Sequence, residues 1–341
     1  MKGTYFLGNQ AFETRELPGH DLAADEVLIR VAACGVCGTD VHIYHGDKGS
    51  ADVIPPVILG HELAGVVEAI GDKVDSLTVG DHVAIDPNIY CGECHYCRKG
   101  KKQLCTNLFA IGVNRDGGFA DHCYAPQAQC YKMNKDIPLA HGAMAEPLAC
   151  CLHGIDRANI QVGDTVCVIG GGAIGLLMVQ LAKLAGASRV ILSEPVALRR
   201  EIGLSVGVDW VIDPINKSLT GRVQELLGID GVDVVIECVG NHTATAQAFQ
   251  VAKRGTTVLL FSVPKAGTAH PLSLEDVYQK ELTIVGSIIN PDTHQRAVDL
   301  INSGRIQLAP LITHCYPVEQ VKEAILMQMG NESIKVIVGE K

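Results

Sequence analysis

The stretch VCVIGGGAIGLL, residues 166–177, decides how this chain folds: an apolar strand-like run breaks into glycines and resumes as an apolar helix-like run. Gly170, Gly172 and Gly175 stand in G-x-G-x-x-G spacing, and the next apolar run, VILSE, ends on Glu194, nineteen residues after Gly175. Alone the glycine triplet is a weak signal. With a strand before it, a helix after it and an acid closing the following strand, it reads as a dinucleotide-binding turn. Gly170 makes the tight turn, Gly172 lets the backbone approach a pyrophosphate, Gly175 permits close helix packing, and the helix N-terminus attracts the anion. Glu194 is placed to bind adenosine ribose hydroxyls and would repel a 2′-phosphate, so NAD is expected over NADP. Arg199 and Arg200 are the residues that could instead welcome that phosphate.

Working outward, DTVCVIG (164–170), AIGLLMVQLAKLAG (173–186), SRVILSE (188–194), ALRREIGLSVG (197–207) and DWVID (209–213) alternate strand and helix patterns. The alternation continues through GVDVVIECVG (231–240), a helix near 242–253, GTTVLLFSVP (255–264) and ELTIVGSII (281–289). It is the signature of a parallel sheet with crossover helices. Upstream, EVLIRVAA (26–33) and LAGVVEAI (63–70) are β-type runs among Gly and Pro turns, which predicts a small β-rich domain with few helices. The tail predicts helices at 292–303 and 318–329 and strands at 311–316 and 335–340. A chain of 341 residues suits two domains, and 36 glycines with 19% charged residues exclude a disordered chain. No apolar run approaches the ~18–20 residues of a membrane span, and the start lacks the order of a secretory signal. No membrane association is expected, and the location expected is the cytoplasm. A net charge of -10 gives no reason to bind nucleic acid, apart from the short basic run RKGKK at 98–102.

The segment CGECHYCRKGKKQLC, residues 91–105, places Cys91, Cys94, Cys97 and Cys105 in C-x2-C-x2-C-x7-C spacing. In a reducing compartment such a cluster points to metal before disulfides. One tight loop can present the four thiolates tetrahedrally to zinc, and four protein ligands leave no open position, so this ion is structural. His95, inside the loop, is then redundant. A second set is scattered: Cys37, His61 with Glu62, and Glu146. Together they offer a soft anion, an imidazole and two carboxylates, enough for a zinc that keeps one open position. Their separation in sequence leaves open whether they meet.

CGTDVH (37–42), GHELAGVV (60–67), the four-cysteine loop, GVNRDGGFA (112–120), AEPL (145–148) and VIGGGAIGLL (168–177) follow one another in an order that covers nearly the whole chain. In this the sequence resembles the zinc-dependent medium-chain dehydrogenases of the sorbitol (polyol) and L-threonine 3-dehydrogenase branch. The resemblance implies an α/β fold: a GroES-like β-rich catalytic domain at 1–152 carrying the structural zinc loop, a Rossmann doubly wound parallel-sheet domain at 153–288, and a return to the catalytic domain at 289–341. It implies two Zn2+ per chain. Cys37 and His61 would bind the catalytic ion together with a glutamate; relatives differ over whether the residue at Glu62 or at Glu146 binds directly, and Glu62 is favoured, with Glu146 acting through water. Thr39 and His42 would relay the proton. Ile174 would lie beside the pyrophosphate, Arg199 near the adenine ribose, and Phe261, Ser262, Val263, Ser287 and Ile288 along the nicotinamide half. Ser262 departs from the glycine of many relatives.

The activity implied is hydride transfer from a secondary alcohol, a polyol or sugar alcohol, to NAD+. L-threonine, a sugar-alcohol phosphate or butanediol are the alternatives within the family. AEPLACCLHG is similar to the polyol enzymes, whereas VILSEPVALRRE and CGTDVHIY are similar to the threonine group. A homodimer or homotetramer is expected. The rival outside enzymes is a catalytically silent dinucleotide binder with no second zinc.

Overall fold

The computed structural model describes residues 1–47 and 51–339, which form two compact units. One comprises Met1–Ala149 with Ile289–Lys341, the other Cys150–Ile288. The first divide falls inside the helix Ala145–Ala158, where the sequence places the boundary at 152/153.

In the second unit six parallel strands run in the order Trp210–Ile212, Arg189–Ser193, Thr165–Ile169, Val232–Glu237, Ala252–Leu260 and Thr283–Gly286. Numbered along the chain this is 3-2-1-4-5-6, the order of a Rossmann sheet. The inner strands are buried on both faces, which is why they read as continuous apolar runs rather than as alternating ones. Ala173–Leu184 follows the first strand and is buried on every side from Gly175 to Ala182. Two helices have no counterpart in the sequence reading, Leu219–Leu227 and Leu274–Lys280. Both are short and start at a serine cap, Ser218 and Ser273, whose hydroxyls accept the N–H of Gly221 and Asp276. The helix expected to reach 253 stops at Gln250, because Ala252 already opens the next strand.

In the first unit the strand Glu26–Gly35 is the hub. It pairs antiparallel with Glu62–Ile70, with His122–Pro126 and with the C-terminal strand Lys335–Gly339. The tail is therefore hydrogen-bonded into the middle of the β-rich unit. A core of Ile29, Leu63, Ile111, Phe119 and Ile325 closes around it. The helix expected at 318–329 divides into a 3-10 turn, Val318–Gln320, and the helix Val321–Gln328. Among the described residues no helix is long and apolar enough to cross a membrane.

A buried polar knot pins the start of the returning segment. Asn88 Nδ2 donates to Asn290 Oδ1 at 2.6 Å, Asn290 Nδ2 donates to Asp86 Oδ1 at 3.2 Å, and His294 lies against the Tyr131 ring with centroids 4.7 Å apart. Burial pushes the Asp86 carboxyl up to about 6 and the His294 imidazole down from 6.5 to about 3. Between 6.5 and about 3 the unfolded chain therefore binds more protons at His294 than the folded chain does, so this group removes stability as pH falls. Asp86 acts with the opposite sign between 3.8 and about 6. The variant His294→Gln lacks the first effect, so in thermal unfolding at pH 7, 6 and 5 its Tm should gain on wild type as pH falls. A difference independent of pH would refute the account.

Candidate active site

The first unit builds its site where the hub strand ends. After Gly35 the chain turns through Cys37 into the helix Gly38–Tyr44, and the Cys37 N–H donates to Asp40 Oδ2 at 2.8 Å. This fixes the turn that carries the sulfur. His61 and Glu62 arrive at the start of the neighbouring strand, whose register sets Glu62 opposite Gly35. The Cys37 sulfur, a His61 ring nitrogen and a Glu62 carboxylate oxygen all lie within 4.8 Å of one another. His61 is 6% exposed and Glu62 1%.

Asp40, fully buried, faces His61 with Oδ1 3.8 Å from Nδ1. Neither of these two atoms has a hydrogen-bond partner. Burial raises the Asp40 carboxyl to about 6. Burial alone would lower the His61 imidazole, but Cys37 and Asp40 outweigh it and hold it well above its ordinary value. Glu62 is ion-paired with Lys335, itself buried, at the head of the C-terminal strand. Burial would lower the lysine as well; the negative charges of Glu62, Cys37 and Glu146 raise it instead. Gly35 is the floor of this pair, since a Cβ there would stand 2.1 Å from Glu62 Oε2. Glu146, 7% exposed in the first turn of Ala145–Ala158, is close enough for its charge to act on His61 and Lys335, yet it falls outside the 4.8 Å group. Thr39 and His42 are three residues apart on Gly38–Tyr44 and share a face; His42 Nδ1 is 3.5 Å from Asp47 Oδ2.

Cys91, Cys94, Cys97 and Cys105 form a second group of the same compactness. Backbone N–H groups of Cys91, Cys94 and Cys97 donate to the sulfurs of Cys105, Cys91 and Cys94 at 3.4–3.5 Å. Amides of Cys97 and Thr106 pull the Cys94 thiol down. Both donor sets fit zinc: sulfur with nitrogen and carboxylate in one, sulfur alone in the other. His95 is exposed and outside the set, as its redundancy requires.

In the second unit the glycine turn lies at the C-terminal end of the central strand. A Cβ on Gly175 would stand 1.8 Å from the Gly170 carbonyl, so the helix can dock only with glycine there, while nothing lies within 4 Å of where a Cβ on Gly172 would be. That open space at a helix start is the cradle a pyrophosphate needs. Ile174 is in the first turn of the same helix, and Arg199 in the first turn of Ala197–Ser205. Glu194, 3% exposed, accepts the Gly171 N–H at 2.6 Å and the Val196 N–H at 2.7 Å. Phe261, Ser262 and Val263 follow the fifth strand, and Ser287 and Ile288 follow the sixth.

Two family models match this chain, an alcohol dehydrogenase GroES-like domain over residues 23–135 and a zinc-binding dehydrogenase domain over residues 173–303. The chain belongs to the zinc-binding dehydrogenase family. Among its relatives is an L-threonine 3-dehydrogenase of Pyrococcus horikoshii, 36% identical over 92% of this chain and 90% of that protein. Another is a sorbitol dehydrogenase of Bombyx mori, 33% identical over 95% of this chain and 94% of its own length. A solved structure from Sinorhizobium meliloti 1021, described as a zinc-binding dehydrogenase bound to NADP, is 39% identical and superposes with a TM-score of 0.94 over 99% of this chain and 98% of that one. This zinc-binding dehydrogenase thus sits in the polyol and threonine branch, with a GroES-like β-rich unit and a Rossmann unit, and is an oxidoreductase acting on alcohols.

Asp40, Lys335 and Glu237 go unread in the sequence. Asp40 carried a signal, the acid three residues after a helix-capping residue. Glu237 closes its strand as Glu194 does. Lys335 offered only its place at the head of an apolar strand, where a lysine is ordinarily solvated. Replacing it with Met strands the Glu62 carboxylate in the core, and Lys335→Met should cost about 3–5 kcal/mol while the double variant with Glu62→Gln costs less than the two single losses combined. Additive losses in urea titration would show that the pair does not interact.

Proposed function

We propose that this chain oxidises a secondary alcohol, most readily a polyol or sugar alcohol, to a ketone with NAD+ as hydride acceptor. The observation that carries the reading is the buried trio of Cys37, His61 and Glu62, whose donor atoms lie within 4.8 Å of one another. Three protein ligands are the number that leaves a catalytic zinc one open position. Zinc held there supplies a Lewis acid that acidifies the substrate hydroxyl, and NAD+ supplies the hydride acceptor. Glu146 acts on this centre through water. The Thr39 hydroxyl would accept the departing proton, and His42, on the same helix face with its Nδ1 3.5 Å from Asp47 Oδ2, would hand it on toward solvent. Cys91, Cys94, Cys97 and Cys105 hold a second, structural zinc, in keeping with a reducing cytoplasm.

Two observations support the finer choices. Among the described residues Lys335 is the one buried lysine or arginine and is engaged by Glu62, so a substrate carboxylate such as that of L-threonine finds no free buried lysine or arginine at this centre. Glu194 keeps its carboxylate at the adenosine end. Arg200, which could have received a 2′-phosphate, instead donates to the carbonyls of Glu194 and Pro195 at 2.8 and 2.7 Å and pairs with Asp213 at 3.5 Å. NADP is the second reading, favoured by the S. meliloti structure. A second copy of the chain is the partner we assign to the outer strand Thr283–Gly286, which pairs on one side only and follows in the chain a helix whose Leu274 and Tyr278 are 78% and 81% exposed.

The test is the initial rate of NAD+ or NADP+ reduction by zinc-loaded protein on sorbitol, xylitol, arabitols, 2,3-butanediol, L-threonine and a sugar-alcohol phosphate, with metal analysis. A free polyol should lead with NAD+, and Cys37→Ser should lose roughly one of two zinc equivalents and the activity together. A lead for L-threonine overturns the substrate assignment; one zinc per wild-type chain overturns the catalytic centre. Introducing a charge with Ile284→Asp should turn dimers into monomers in light scattering if the outer strand is the contact.

A further inference from the structure

Glu237 ends the fourth strand of the Rossmann sheet and is 1% exposed. Its carboxylate is surrounded by donors from two separate loops: Oε1 accepts the N–H of Val239 at 2.7 Å and of Gly240 at 2.9 Å, and Oε2 accepts the Ser262 hydroxyl at 2.5 Å. Val239 in turn touches the glycine turn, since a Cβ on Gly170 would stand 2.6 Å from its Cγ2. Gly240 abuts Ser262, a Cβ there meeting Ser262 Cβ and Oγ at 3.2 Å. One buried carboxylate therefore sets the relative positions of the loops that follow the first, fourth and fifth strands.

The strand order says which part of a dinucleotide those loops face. The pyrophosphate belongs at the glycine turn after the central strand, and the adenosine on the side of the second strand, where Glu194 stands. The other half must then extend over the ends of the fourth and fifth strands, where Glu237 and Ser262 stand.

We propose that Glu237 and Ser262 form a positioning pair for the nicotinamide half of the cofactor, the glutamate holding the 238–240 and 261–263 loops in register through the serine hydroxyl. The pair rests on the dinucleotide reading above. Where a glycine at position 262 would leave Oε2 without this donor, the serine completes the carboxylate's hydrogen bonds and ties the fifth-strand loop to the fourth.

The test compares NADH binding, by nucleotide fluorescence, with AMP binding, by calorimetry, because AMP spans only the adenosine side. Glu237→Ala should weaken NADH about tenfold or more, the equivalent of one lost charge-assisted hydrogen bond, and leave AMP within about twofold. Ser262→Ala, which keeps the buried backbone contacts and so folds even if the alanine variant at 237 does not, should weaken NADH about three- to fivefold. Glu237→Gln should restore binding to within about threefold, since its oxygen accepts both N–H groups and its amide donates to Ser262 Oγ. Equal loss of AMP and NADH would make the role a general one of the fold and overturn the proposal, as would unchanged NADH binding in Glu237→Ala or Ser262→Ala. Wild-type protein that binds neither nucleotide would overturn the dinucleotide reading itself, an outcome distinct from the variants' behaviour.

Discussion

Charge buried in this protein has to be balanced where it is buried. At the end of the hub strand a thiol, an imidazole and three acids, Asp40, Glu62 and Glu146, are packed into the β-rich unit with a single lysine among them. Left to burial alone, each ionised group would be pushed toward its neutral form. Mutual attraction opposes that outcome, Lys335 against Glu62 and His61 against Cys37 and Asp40, though Asp40 itself stays raised by burial, and a divalent cation is the further charge such a set calls for. The architecture serves this arrangement. The C-terminal strand pairs with the hub strand and delivers the lysine, and Gly35 leaves the space in which the pair meets.

The same rule operates in the Rossmann unit with backbone amides in place of cations. Glu194 and Glu237 close the strands on either side of the central one, and each is met by two N–H groups from the loop that follows or adjoins it. A carboxylate satisfied in this way is a rigid bracket, because moving either loop would leave a buried charge without its donors. The two brackets have different work. Glu194 faces the side where a ribose diol would be recognised, while Glu237 reaches a third donor, Ser262, and joins two loops. The four-cysteine loop shows the principle again, with backbone N–H groups directed at sulfur.

How far the site could be read in advance depended on how local its signals are. The glycine turn, Glu194 and the four cysteines each lie within one short segment, so spacing alone carries their geometry. Cys37, His61 and Glu62 are candidates in the sequence, yet their meeting depends on the antiparallel register of two strands, which spacing does not contain. Glu146 stands among the same candidates and lies near but outside the compact trio. Lys335 could not be seen at all, since it comes from the far end of the chain and breaks the expectation that lysine is solvated. The short helices Leu219–Leu227 and Leu274–Lys280 were missed because fewer than three turns give too little periodicity, though their serine caps were in view.

By itself the amino-acid sequence determined the alternation of strands and helices, the dinucleotide turn with its closing acid, and the four-thiol loop, because each is a relation between near neighbours along one chain. Tertiary structure alone decided that a Glu62 oxygen lies within 4.8 Å of the Cys37 sulfur and a His61 nitrogen, that a buried lysine balances Glu62, and that Glu237 binds two loops together. Those are relations of charge across strands brought side by side, and a charge is tolerated in the core only once its partner from elsewhere in the chain has arrived.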